Sequence, residues 1–305
     1  MYLHNFGHSV EVHAPAKLNL FLEVLARRAD GYHDLETLMT AVDIFDTLHF
    51  TPLRAGEPLE LNGRWAHGNQ ASGDLPAGSG NIVVQALARL QEVAGVQQGA
   101  RVDLCKRIPS SAGLGGASSD AAAALLAANM AWGLNWTRSE LAEVAAEIGS
   151  DVPFFLFGGT AICRGRGEQV TPLPAVPRMH FVVVRPPEGI STAEAFGNCQ
   201  PALNPLRVEE IAEALCDSSS RSWVQLMENR LQQVASGMTP WIDRLAQWFQ
   251  RFGFLGHQMS GSGSSYFGVC RHARHARRLA AVLRGLKLGH VFCTRSLSAQ
   301  PVCSA

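Results

Sequence analysis

Lysine is nearly missing from this chain: Lys17, Lys106 and Lys287 stand against 23 arginines, so a lysine inside an apolar stretch is not compositional background. No Gly-Lys-Ser or Gly-Lys-Thr occurs, which excludes a Walker A phosphate loop. C-x-x-C pairs are absent as well. The seven cysteines (Cys105, Cys163, Cys199, Cys216, Cys270, Cys293 and Cys303) are odd in number and scattered, the pattern of reduced thiols. The opening residues, MYLHNFGHSV, lack a charged segment followed by an apolar one, and a cytoplasmic protein is expected. Cys270, His272 and His275 in CRHARH have no second half at ligand spacing, so no zinc site is expected.

Long hydrophobic runs are also wanting. The longest, Ala121 to Leu134, is too short for a membrane span and is broken by Asn129, so it reads as a buried helix. Charge of either sign is not in excess: the formal net charge is zero, leaving no global field to recruit nucleic acid or acidic lipid. RHARHARR, Arg271 to Arg278, reads as the solvated face of a helix. No nucleic-acid or membrane partner is expected.

What is present is a globular composition, 47% hydrophobic and 17% charged over 305 residues, enough for two domains. HAPAKLNLFLEVL alternates Leu18, Leu20 and Leu22 with Lys17, Asn19 and Phe21, the period of a strand, so Lys17 and Asn19 project together. Asp30-Gly31 marks a turn before a short helical or extended piece, and VDIFDTLHF is a further strand. The turn-rich stretch from Arg54 suggests hairpins and surface loops, and a helix begins near Asn81. Thr137 with Glu140 forms a capping box ahead of another helix, and strands recur at HFVVVRP, SYFGVC and HVFCTRSL. The interleaving, with hairpin-like stretches, gives an α+β class. Pro172, Pro174 and Pro177 suggest a boundary, dividing the chain into residues 1–172 and 173–305.

PSSAGLGGASSDAAAA, from Pro109, sets Gly113, Gly115 and Gly116 among four serines, directly before a helix with Ser118 or Ser119 as its N-cap. Glycines let main chain approach a ligand, and a helix start offers unpaired N–H groups to an anion. The spacing does not fit the dinucleotide fingerprint. A phosphate cradle of backbone donors and hydroxyls is left. MSGSGSSYFGV, from Met259, is a second such element, and the two suggest walls of one cleft. Taken alone, Lys17 is a snorkelling strand-edge lysine and Asp151 of GSDVPFF a turn residue. Beside a phosphate, an ammonium and a carboxylate would serve phosphoryl transfer, one for developing charge and one for the proton.

PSSAGLGGASSDAAAA and MSGSGSSYFGV resemble the phosphate loop and the C-terminal glycine motif of the galactokinase, homoserine kinase, mevalonate kinase and phosphomevalonate kinase superfamily. PAKLNLFLEVLARRADGYHDLETL and GSDVPFF are similar to its branch acting on 4-diphosphocytidyl-2-C-methyl-D-erythritol. The resemblance implies a two-domain fold with the active site in the cleft between domains, and ATP with Mg2+ as cofactors. It implies a small-molecule substrate and phosphorylation of its 2-hydroxyl, in the non-mevalonate route to isoprenoid precursors. By motif, Asp151 would be the general base, Lys17 would orient it and stabilise charge, and Asn19 would shape the site. Pro109, Ser110, Ser111, Ala112, Gly113, Leu114, Gly115, Gly116, Ala117, Ser118 and Ser119 would hold the ATP phosphates, with Asn81 towards the adenosine. Tyr32 and His33 would recognise the cytosine, with Phe196 on its other face and Thr192 nearby. ENRLQQ, from Glu228, departs from the acidic segment the resemblance would supply and receives no role. Another kinase of the superfamily, and a nucleotide-binding protein without catalysis, are the alternatives.

Overall fold

The structure is a computed structural model that describes residues 1–66, 75, 78–217 and 221–298. Cys303 and residues 67–74 of the turn-rich stretch lie outside the described residues. Contacts gather the chain into two compact units built from interleaved segments. One holds Met1–Ala16, Ile44–Ser110 and Gly115–Phe157; the other holds Lys17–Asp43, Ser111–Leu114 and the chain from Gly158 onward.

One sheet has the strand order β1 (Tyr2–Asn5), β2 (Val10–Arg27), β3 (His33–Ala55), β5 (Gln98–Lys106), β4 (Leu59–Trp65), and β2 and β3 each contribute residues to both units. Helices α1 (Ile82–Ala94), α2 (Gly116–Ala131), α3 (Arg138–Ile148) and α4 (Val152–Phe157) pack on one another. Alternation makes β2 and β3 as read from the sequence, and the piece after Asp30-Gly31 is the extended start of β3. Among the described residues, the turn-rich stretch gives no hairpin between β3 and β4. β5 pairs antiparallel with β3 and parallel with β4. α2 is buried almost all round, Ala121 to Leu125 without exposure, as the alanine run requires. Among the described residues no helix is long and apolar enough to cross a membrane. The α3 capping box forms as expected, Thr137 accepting from the Glu140 N–H and Glu140 accepting from the Thr137 N–H.

The second unit adds β6 (Thr160–Arg164), paired with β3 and with β7 (Gln169–Pro172). Its four-stranded antiparallel sheet runs β10 (His257–Met259), β11 (Tyr266–Cys270), β8 (His180–Arg185), β12 (His290–Arg295). β9 (Glu228–Asn229) lies parallel to β2 at Phe21 and Leu22. Its helices are α5 (Thr192–Gly197), α6 (Val208–Cys216), α7 (Leu231–Met238), α8 (Trp241–Arg251) and α9 (Ala273–Gly285). Val182, Val184, Leu231, Phe249, Tyr266 and Leu279 belong to its core. Arg274, Arg277 and Arg278 lie on the exposed face of α9, as RHARHARR suggested.

Candidate active site

Both faces of β2 are buried here, so Lys17 is not a snorkelling edge residue: it is 4% exposed and Asn19 2%. A buried ammonium costs several kcal/mol unless it is hydrogen-bonded. Lys17 Nζ donates to Asn19 Oδ1 at 2.5 Å, two residues on along the same strand face. Asn19 Nδ2 donates to Thr37 Oγ1 at 2.8 Å, and that hydroxyl donates to the Phe21 carbonyl at 2.6 Å. The relay fixes which way the Asn19 amide faces, its oxygen turned to Lys17. Thr37 belongs to the ETL that ends PAKLNLFLEVLARRADGYHDLETL, but no spacing rule singles it out.

In the second unit, two glycine elements close on this strand. The Lys17 N–H donates to the Leu114 carbonyl at 3.0 Å, and Ser265 N–H to the Ala112 carbonyl at 3.1 Å. Ser260 Oγ donates to the Gly113 carbonyl at 2.9 Å and accepts from the Asn19 N–H at 3.3 Å. A Cβ on Gly113, which has φ +70°, would lie 2.0 Å from the Ser260 carbonyl oxygen. A Cβ on Gly261, at φ +56°, would lie 3.0 Å from Lys17 Nζ and 3.2 Å from Asn19 Oδ1. Glycine is needed at both places by conformation and by contact. Thr192 Oγ1 and Ser262 Oγ share a hydrogen bond of 2.8 Å, which ties α5 to the same loop.

The first unit carries the rest of the first glycine loop. α2 starts at Gly116 with Gly115 in the left-handed conformation as its N-cap, and no side chain caps it. Ser118 and Ser119 therefore lie inside the first turn, because the left-handed glycine, and no serine, ends the loop. The first turn of a helix leaves its N–H groups without intrahelical partners, and the dipole adds positive potential there. Ser119 Oγ is buried without a hydrogen-bond partner. Beneath the loop, Lys106 donates to Asp46 and to Asp120 Oδ2, while Asp46 accepts from the Arg107 and Ile108 N–H groups. Burial works against the Lys106 charge, but the two carboxylates outweigh it and raise its pKa. Burial, reinforced by Asp46, pushes Asp120 well above the usual carboxylate range. Asp46 and Asp120 were not singled out by any motif. Asn81 caps α1, its Oδ1 accepting from the Val83 N–H at 2.9 Å. Asp151 is partly buried and immediately precedes the wholly apolar α4.

His33 and Phe196 meet with ring centroids 5.5 Å apart. Burial first, then the Arg27 charge, lowers the His33 pKa. Tyr32 is 53% exposed, with the Arg166 guanidinium 4.9 Å from its ring centroid. Arg166 carries no sequence signal for that contact. The structure thus joins Lys17, Asn19, Gly113 and Leu114 in one unit, and His33 with Phe196. Asp151 and Asn81 belong to the other unit.

Residues 81–159 match the GHMP kinases N terminal domain family, and residues 208–286 the GHMP kinases C terminal family. A 4-diphosphocytidyl-2-C-methyl-D-erythritol kinase of Pelotomaculum thermopropionicum is 40% identical, over 89% of this chain and 92% of its own. A crystal structure of 4-(cytidine 5'-diphospho)-2C-methyl-D-erythritol kinase matches with a TM-score of 0.74 at 35% identity, covering 94% of this chain and 100% of that one. A homoserine kinase from Cytophaga hutchinsonii also matches at 0.74, with 22% identity and 98% of each chain covered, which speaks for the fold alone.

Proposed function

Because this chain belongs to the 4-diphosphocytidyl-2-C-methyl-D-erythritol kinase family, within the GHMP kinases, we propose that Lys17 and Asp151 carry the transfer it catalyses. The reaction is ATP-dependent phosphorylation of 4-diphosphocytidyl-2-C-methyl-D-erythritol, on its 2-hydroxyl, in the non-mevalonate route to isoprenoid precursors. The hydroxyl oxygen attacks the γ-phosphorus of ATP, ADP leaves, and Asp151 accepts the hydroxyl proton. Lys17, with Asn19 fixing its amine, faces the charge that grows on the transferring group.

The observation that carries this reading is the buried amine of Lys17, on the strand whose own N–H bonds the phosphate loop at Leu114. The uncapped start of α2 supports Pro109 to Ser119 as the seat of the ATP phosphates, with Asn81 towards the adenosine. Mg2+ is proposed to arrive with the triphosphate. Among the described residues no group of three or more His, Cys, Asp or Glu could hold a metal ion, which suits an ion bound through phosphate oxygens and water. When bound, it neutralises charge on the β- and γ-phosphates. The contact of His33 with Phe196 supports an aromatic seat for the cytosine formed with Tyr32, and the bond of Thr192, on the same helix as Phe196, to Ser262 supports a place for it near that seat. In this division of labour, residues 1–172 carry the phosphate loop and the catalytic pair, and residues 173–305 complete substrate binding.

Incubation with ATP, Mg2+ and the cytidine diphosphate substrate tests the reading. The expected product carries a new phosphate on its tertiary alcohol, with one ADP released per phosphate. Asp151→Ala should lower kcat by roughly 10²–10⁴ with nucleotide binding retained. Turnover near that of the unaltered enzyme would remove Asp151 as the base.

A further inference from the structure

Asn229 is 5% exposed, between Glu228 and Arg230. Its amide is fully engaged. Nδ2 donates to the Met259 carbonyl at 2.8 Å and to the Gly261 carbonyl at 2.9 Å, while Oδ1 accepts from the Leu231 N–H at 3.0 Å. The two carbonyls flank Ser260, whose hydroxyl bonds the Gly113 carbonyl and the Asn19 N–H. Gly261 in turn leaves so little room that a Cβ there would meet Lys17 Nζ at 3.0 Å.

Asn229 is also tied to the strand that bears Lys17. It stands in register with Leu22 of β2, and the next residue, Arg230, donates its N–H to the Leu22 carbonyl at 2.9 Å. The Arg230 guanidinium then pairs through two hydrogen bonds with the buried Glu23. One short segment thus holds β2 by its backbone and the second glycine loop by a side chain. Only an amide does this. A carboxylate of the same shape would turn an anion on two carbonyl oxygens, and a serine would supply one donor where two are used.

We infer that Asn229 is a positioning residue for the phosphoryl transfer: it sets Ser260 and Gly261 against Lys17 and Gly113, and so fixes the amine relative to the phosphate loop. This rests on the role given to Lys17 above.

A double-mutant cycle in kcat tests it, using N229D, K17A and the double variant, with KM for the cytidine substrate measured alongside. Stranding two buried carbonyls should make N229D slower by about 10- to 100-fold in kcat, with KM for the cytidine substrate unchanged. In the K17A background the same substitution should cost less than about twofold, since residues acting as a unit are not additive. Should N229D not fold, N229S carries the cycle. Losses that multiply in the double variant, or an N229D enzyme with normal kcat beside an impaired K17A, overturn the inference. A K17A enzyme of normal kcat instead overturns the role of Lys17 itself, and the inference with it.

Discussion

His33 is held by burial and by the Arg27 charge below its ordinary pKa of 6.5, and its ring lies against Phe196. Neutral imidazole is the form that can both donate and accept at the edge of a base. A depressed histidine pKa means that the unfolded chain binds the proton more readily than the folded one. Its contribution to stability is therefore full above pH 6.5 and is lost as pH falls through the folded value. The denaturation midpoint of the unaltered protein should fall as the solution is acidified below pH 6.5, and His33→Gln should flatten that fall. Removing the aromatic contact lowers the whole curve, so the slope is what reports on the proton. Parallel curves for the two proteins would mean that His33 titrates alike in both states. The residue scale is also where the sequence spoke least clearly. Lys17 alone reads as a snorkelling edge residue, and it is the closure of the two glycine loops on β2 that brings neighbours against it.

At the scale of elements, the glycine loop proposed to seat the ATP phosphates is strung between the end of β5 and the start of α2. The Lys106 pairing with Asp46 and Asp120 joins those two ends to β3. Asp46 is the keystone, since it also accepts from the Arg107 and Ile108 N–H groups. Asp46→Asn leaves Lys106 with a weaker counterion and puts an amide donor against backbone donors, and should cost about 3–5 kcal/mol. Asp120→Asn leaves Lys106 its Asp46 counterion and no backbone donor stranded, and should cost less, about 1–2 kcal/mol, because burial and Asp46 already work against the Asp120 charge. With the folded pKa raised, the Asp120 contribution is present below its ordinary value of 3.8 and lost as pH rises through the folded value. Asp120→Asn should remove that decline. Denaturant titrations of both variants across pH check the ranking, and equal losses would refute it. Strands and long helices were legible here because alternation and an alanine run are local signals. The ion cluster was not, for its members lie 60 and 14 residues from Lys106 and form no motif. The parallel pairing of β4 with β5 was equally hidden, since register across a long connection leaves no local trace.

For the whole molecule, the fold does not choose the acceptor. A homoserine kinase shares it, and homoserine offers no ring to an aromatic seat. Sequence motifs separated the branches where architecture could not, because GYH and GSDVPFF resemble one branch, the one its relatives confirm, while the layers report only how a core is closed. If Tyr32, His33 and Phe196 seat the cytosine, the choice of substrate lies in the base, and a base without an acceptor alcohol should occupy the seat unproductively. CMP should therefore raise KM for the cytidine substrate at constant kcat, and homoserine and mevalonate should release no ADP above background. Tyr32→Ala removes one aromatic face and should raise KM by about 2- to 10-fold, the worth of one ring contact. Its diagnostic is proportion: the inhibition constant of CMP should rise by the same factor, since the substrate and the inhibitor share only the nucleotide. A Tyr32→Ala enzyme whose KM rises while CMP inhibits as before would show that Tyr32 meets the methylerythritol end, and the aromatic seat would then have to be built from His33 and Phe196 alone.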